Sequence, residues 1–135
     1  MIGESNFYKN DLSQESLYKF QSDAILKAAK KGNCIFVGRT ADYILRDFKN
    51  TINIFVTADI DQRIKNVCER RKIKCAEARK YIIDKEEARA SYYNYYTGKQ
   101  WGHSESYDLC INSSLLGIEN TEAFIAELIK KRFQL

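Results

Sequence analysis

Arg39, Arg63, Arg70 and Arg89 are the side chains best suited to do chemistry in this 135-residue chain. A guanidinium stays charged at any physiological pH and presents a planar fork of donors that matches the oxygens of a phosphate. Arg39 stands directly after Gly38, where an apolar run ends and a helix is expected to begin, so it can offer that fork to a phosphate at the head of the helix. A surface arginine in a connecting turn would look the same. Arg63, Arg70 and Arg71 form a second group with Lys85, Glu86 and Arg89. Arginines from two segments converging on one point could neutralise a polyphosphate, and Glu86, three positions before Arg89, shares its helical face and could orient it. The same spacing also describes a solvated, salt-bridged helix surface.

A third stretch, Ser91 to His103, interleaves Tyr92, Tyr93, Tyr95, Tyr96 and Trp101 with Lys99. Such residues can stack on bases as single-strand binders do, or can pack a helix end against a sheet; packing is the expected outcome here. No phosphate loop of the GxxxxGK[ST] type is present. Gly98-Lys99 imitates its end, but Tyr93 occupies the first-glycine position and Gln100 the hydroxyl position. No Ser/His/Asp or Cys/His arrangement is legible, and His103, the one histidine, reads as a turn residue. The four cysteines, Cys34, Cys68, Cys75 and Cys110, make no CxxC pair, so no metal site is expected.

The elements that position these residues follow from pattern. Cys34-Ile35-Phe36-Val37, Ile52-Asn53-Ile54-Phe55-Val56 and Tyr107-Asp108-Leu109-Cys110-Ile111 read as largely buried strands. The segments around them have helical spacing, which predicts an α/β fold with a parallel sheet covered by helices. The first helix is expected from about Ser13 to Lys31, with Leu17, Phe20, Ala24 and Ala28 on one face and Asp11 with Gln14 as a capping box; residues 1–10 read as a loosely held arm. A short helix is expected over Ala41 to Phe48, and another, carrying Ile60, Ile64 and Val67, stops near Ile73. Ala76 to Tyr96 is helical in pattern, but Asp84-Lys85-Glu86-Glu87 interrupts its apolar stripe of Ala78, Ile82, Ala88 and Tyr92, which predicts a segment projecting from the core. The last helix, Thr121 to Arg132, is expected to bury Ile125, Leu128 and Ile129. In an open parallel sheet ligands bind beyond the carboxyl ends of the strands, which singles out Gly38-Arg39-Thr40, Thr57-Ala58-Asp59 and Asn112-Ser113-Ser114.

Composition agrees with one globular domain over residues 1–135: 44% apolar, 30% charged and no proline, with no linker, repeat or low-complexity run. The net charge of +4 permits an anionic ligand without requiring nucleic acid. With no secretory signal and no run long enough for a membrane span, the expected setting is a reducing cytoplasm with free, mostly buried thiols.

The blocks Cys34-Ile35-Phe36-Val37-Gly38-Arg39-Thr40-Ala41-Asp42-Tyr43-Ile44-Leu45, Ile54-Phe55-Val56-Thr57-Ala58, Arg89-Ala90-Ser91-Tyr92-Tyr93, Trp101-Gly102 and Tyr107-Asp108-Leu109-Cys110-Ile111-Asn112, in that order, resemble the cytidylate kinase-like family. The resemblance implies an incomplete P-loop kinase-like three-layer fold with a lid-like segment at about 70–103. It implies transfer of the ATP γ-phosphoryl group, with Mg²⁺, to a nucleoside monophosphate, CMP being the expected acceptor. By that resemblance Arg39 holds the acceptor phosphate, Arg63 and Arg70 lie near the donor triphosphate, Glu86 and Arg89 belong to the lid, and Asn112, Ser113 and Ser114 fall near the donor base. Arg39, Arg70 and Arg89 are then the candidate catalytic residues, and Gly38 a candidate nucleotide-binding one. Family members have Asp more often than Glu three residues before the lid arginine. They also begin with a strand and glycine-rich loop that these 135 residues lack, so the expectation is a truncated form with little or no activity and an exposed sheet edge prone to self-association. A non-catalytic subunit that completes its sheet with another chain, and a nucleic-acid-binding module, are the competing expectations.

Overall fold

The computed structural model describes the backbone of residues 2–135 and the side chains from residue 13 onward. Two compact units are present, residues 1–49 and residues 50–135, and each is described by itself.

The first unit holds α1 (Ile2–Lys30) and α2 (Ala41–Ile44). The helix expected from Ser13 is instead continuous from Ile2, so Asp11 lies inside it rather than at its start, and the side chain of Asp11 lies outside the described residues. The expected arm, residues 1–10, is helical backbone from Ile2; Met1 lies outside the described residues. The expected apolar face is partly in water, with Leu17 and Phe20 both exposed.

Cys34–Val37 is a second correction. It forms no strand, and Ile35 and Val37 are 91% and 90% exposed. A β-branched run prefers the pleated conformation, yet a strand exists only when a neighbour takes up its N–H and C=O groups. Among the described residues no such neighbour pairs with it. The run ends in Gly38, Arg39 and Thr40, whose φ values of 70°, 57° and 55° are all left-handed. For Arg39 and Thr40 that conformation costs about 1–3 kcal/mol each. Thr40 is held in place by burial and by a 3.0 Å hydrogen bond between its hydroxyl and that of Tyr18.

The second unit contains β1 (Ile54–Thr57), α3 (Ile60–Arg71), α4 (Cys75–Thr97), β2 (Leu109–Asn112), α5 (Ser113–Leu116) and α6 (Ile118–Phe133), with one 3₁₀ turn at Ser104–Ser106. The two strands pair in parallel, Ile54 opposite Leu109 and Thr57 opposite Asn112. They sit one or two residues later than the pattern predicts, and their side chains are half-buried to exposed rather than buried. Parallel strands need a long crossover. Here α3 and α4 supply it.

Ile60, Ile64, Val67 and Cys68 on α3 meet Ala78, Tyr81 and Ile82 on α4, with Val67, Ala78 and Ile82 buried. Lys72 ends α3 in the left-handed region; its N–H and that of Ile73 both reach the Cys68 carbonyl, and Ile73 packs against the same cluster. That arrangement satisfies the last carbonyls of the helix and turns the chain into α4. Beyond Ile82 the stripe of α4 breaks where the sequence predicts, and Ala88 is exposed instead of continuing it. Burial resumes at Tyr93 and Thr97. Ile125, Leu128 and Ile129 of α6 are half-buried, not buried.

The thiols also differ from expectation. Cys34, Cys75 and Cys110 are exposed and Cys68 is half-buried. No helix among the described residues is long and apolar enough to cross a membrane.

Candidate phosphate-binding cleft

At the carboxyl end of β1 a cleft of about 210 Å³ is lined by Phe55 to Ala58, Arg63, Glu86, Arg89, Trp101 and Ser113. Its charged walls come from the helical hairpin. Arg63 lies one turn into α3 and Glu86 and Arg89 lie halfway along α4, the stretch where the apolar stripe is broken. Because the two helices are antiparallel and pinned at Val67, Ala78 and Ile82, Arg63 comes to rest against Glu86 and forms an ion pair with it. The pair is partly screened, with side-chain exposures of 29% and 35%.

Two arginines face one glutamate in this cleft, so its formal charge is positive. The Arg63 Nε is cut off from solvent and has no hydrogen-bond partner among the described residues. An orphaned buried donor costs about 1–3 kcal/mol, which raises the attraction of the site for an acceptor. Arg89 is exposed, lines the cleft, and makes no ion pair or hydrogen bond among the described residues. The arrangement suits an anion. It does not suit a bare Mg²⁺ ion, since Glu86, the one carboxylate in the lining, is already committed to Arg63.

Asn112, Ser113 and Ser114 fasten the floor of the cleft. Asn112 donates through Nδ2 to Asp59 Oδ1 at 2.8 Å and accepts from the Ser114 N–H at 2.9 Å, capping α5. The Asp59 N–H donates to the Ser114 hydroxyl at 2.9 Å, and the Ser113 hydroxyl donates to the Thr57 carbonyl at 3.1 Å. These bonds lock the exit of β1 to the exit of β2. Behind them Phe55 packs on Trp101 and Tyr107 at centroid distances of 5.3 and 5.0 Å. The Trp101 N–H donates to Asn94 Oδ1 at 2.7 Å and the Gly102 N–H to the Tyr107 hydroxyl at 3.2 Å, so the aromatic stretch is engaged in packing. Tyr95 remains largely exposed.

The structure thus brings together Arg63, Glu86, Arg89 and Ser113, with Asn112 and Ser114 bracing the site. Arg70, two turns after Arg63, is exposed and outside the lining. Gly38 and Arg39 belong to the first unit, where Arg39 is exposed at the left-handed turn. The expected phosphate site at the head of the following helix has little to draw on, because α2 is a single turn of four residues. Thr57 and Ala58 line the cleft at the strand end that the pattern singled out, whereas Phe55 and Val56 are lining that it did not, and Trp101 was expected to pack rather than to line a site. Trp101 reaches the cleft through packing on Phe55, a contact across 46 positions that no local pattern encodes (101 − 55).

A parallel strand pair, a helical crossover hairpin and a cationic cleft at the strand end define an incomplete α/β kinase-like fold. Comparison with known proteins agrees. The profile of the cytidylate kinase-like family matches residues 1–115, and the chain belongs to that family. It is 32% identical over 103 residues to a cytidylate kinase of Staphylothermus marinus, covering 76% of this chain and 58% of the relative. It is 25% identical over 107 residues to a cytidylate kinase of Ignicoccus hospitalis, covering 79% and 59%. The chain therefore spans a little under three fifths of the length of these curated relatives. The crystal structure of an uncharacterised protein from Eubacterium ventriosum superposes with a TM-score of 0.81 at 30% identity, over 84% of this chain and 65% of that one.

Proposed function

We propose that this chain is the phosphate-gripping portion of a cytidylate kinase-like phosphotransferase of P-loop type. Its complete form moves the ATP γ-phosphoryl group to a nucleoside monophosphate, with CMP as the acceptor. The observation that carries this reading is the cleft in which Arg63 and Arg89, from two helices, share a single glutamate. Phosphoryl transfer needs positioning and charge neutralisation more than a dedicated base, and arginines supply both. Arg89 is the residue free to take a phosphate oxygen. Glu86 is a positioning residue that holds Arg63, and exchange of the Glu86 contact for a phosphate would release it. The segment at about 70–103 is the lid of this reading, Arg39 holds the acceptor phosphate, and Arg63 and Arg70 lie near the donor triphosphate. Mg²⁺ would arrive with the triphosphate, since the residues here do not hold it. Gly38 lets the turn approach the nucleotide, and Asn112 to Ser114 border the donor base.

Residues 1–135 contain no GxxxxGK[ST] loop, so this polypeptide alone is expected to bind nucleotide and to transfer little or none of it. The test is calorimetric titration with CMP and with Mg-ATP, alongside chromatographic detection of CDP from the two together. Saturable binding, weakened about 10- to 100-fold in Arg89→Ala as expected for a lost charge-assisted hydrogen bond, supports the reading. A folded protein that binds neither nucleotide refutes it, and sustained CDP formation refutes its inactivity.

A second reading has one observation in its favour. Ile35 and Val37 lie almost fully exposed in a segment that pairs with no strand among the described residues, as expected of a subunit that completes its sheet with another chain. Sizing chromatography decides: a monomer at all concentrations removes self-pairing.

A further inference from the structure

At the turn between α3 and α4, away from the cleft lining, the Cys68 thiol donates a hydrogen bond to the Cys75 sulfur at a sulfur–sulfur distance of 3.2 Å. Both cysteines are free. A disulfide needs about 2.05 Å, so the two sulfurs stand only about 1 Å beyond bonding distance. The two residues differ in character. Cys75 is exposed, open to a small solute, and is the first residue of α4, a helix of 23 residues. Its sulfur accepts the hydrogen bond and so lies directly against its partner. Cys68 is half-buried in the last turn of α3 and is the donor; that bond holds its pKa above the ordinary thiol value. An exposed nucleophile beside a protonated partner is the arrangement of a peroxide-reactive thiol with its resolving cysteine.

We propose that Cys75 and Cys68 form a redox modification site, in which a small hydroperoxide oxidises Cys75 and Cys68 resolves it to an intrahairpin disulfide. The Cys75 thiolate attacks the distal oxygen of the peroxide, the O–O bond breaks, and Cys75 becomes a sulfenic acid while the leaving oxygen takes a proton and departs as water. Cys68 loses its proton and attacks the sulfenic sulfur, and hydroxide leaves as a second water. Two thiols give up two electrons and two protons, and one hydrogen peroxide becomes two waters. The product ties the end of α3 to the start of α4. This site is independent of the nucleotide reading.

The test uses the full chain, treated with equimolar hydrogen peroxide, alkylated, digested and mapped by mass. Expected are a crosslinked Cys68–Cys75 peptide and unchanged alkylation at Cys34 and Cys110, which serve as internal controls. In Cys68→Ser, dimedone should capture a sulfenic acid at Cys75 at least about tenfold faster than at Cys34 or Cys110. In Cys75→Ser, neither the crosslink nor rapid capture at Cys68 should form. Oxidation spread evenly over the four cysteines, intermolecular disulfides in place of the crosslink, or Cys68 and Cys75 left fully alkylatable would each overturn the proposal. Because the serine variants retain size and shape at exposed or half-exposed positions, loss of folding does not confound the result.

Discussion

Truncation of two isoleucines separates what periodicity predicts from what the fold does. Ile82 is 6% exposed in the hairpin core, whereas Ile35, placed by pattern in a buried strand, is 91% exposed. Isoleucine to alanine removes three carbons. At about 0.8 kcal/mol per buried CH₂ the transfer loss at Ile82 is about 2.4 kcal/mol, and the cavity left against Val67 and Ala78 raises Ile82→Ala to roughly 2.5–3.5 kcal/mol. In a unit of this size each kcal/mol moves Tm by about 4–8 °C, so the variant should melt roughly 10–28 °C lower. Ile35→Ala deletes carbons already in water and should change stability by less than about 0.5 kcal/mol. Urea unfolding reads both: Trp101 fluorescence reports the second unit, and far-ultraviolet circular dichroism, which sums over the helices of both units, shows any transition that Trp101 does not. An Ile82→Ala cost below about 1 kcal/mol, or an Ile35→Ala cost equal to it, would show that the core is not in the hairpin.

Asn112→Ala removes both the donor to Asp59 and the cap on Ser114, and should cost about 1–2 kcal/mol in the same urea assay. Gly102→Ala puts a methyl 3.3 Å from Phe55 Cζ at a residue with φ of +78°, so it should destabilise by about 1–2 kcal/mol and alter Trp101 emission. The pKa of Cys68 is raised from 9.0, chiefly by its hydrogen bond to Cys75, and that of Lys80 from 10.5, chiefly by its hydrogen bond to Asp84. Both protonated forms are favoured by folding, so their contribution is whole below the ordinary values and is lost as pH rises through the raised ones. The urea midpoint should therefore fall from about pH 9 upward, gently, because the Lys80–Asp84 pair is exposed, and Lys80→Met should flatten the upper part.

The parallel strands and the α3–α4 hairpin were legible because their signals are local. Ile60, Ile64 and Val67 recur at helical spacing, and the charged break at Asp84 to Glu87 marks where α4 leaves the core. Cys34–Val37 misled because a strand is a property of a pair. Its residue types favour a strand, but among the described residues no strand pairs with it. The convergence of Arg63 with Glu86 was readable as charges on two helices. That only one of two arginines would be neutralised depends on rotamers and on the antiparallel register. The Asn112–Asp59 and Ser114–Asp59 bonds span 53 and 55 positions and carry no local signature. The sequence predicts mostly buried thiols because free cysteines usually are buried. The close pair at the helical turn follows instead from where α3 ends.

In the proposed reading the cleft between α3, α4 and β1 takes a nucleotide phosphate on Arg89 and Arg63. Trp101 lies in the lining and is the single tryptophan, so its fluorescence is a direct reporter. Titration with Mg-ATP and, separately, with CMP should give a saturable change with at least one of them, weakened by added salt and lost in Arg89→Ala. An unchanged signal with both nucleotides in the folded protein, or an equal response in Arg89→Ala, would contradict it.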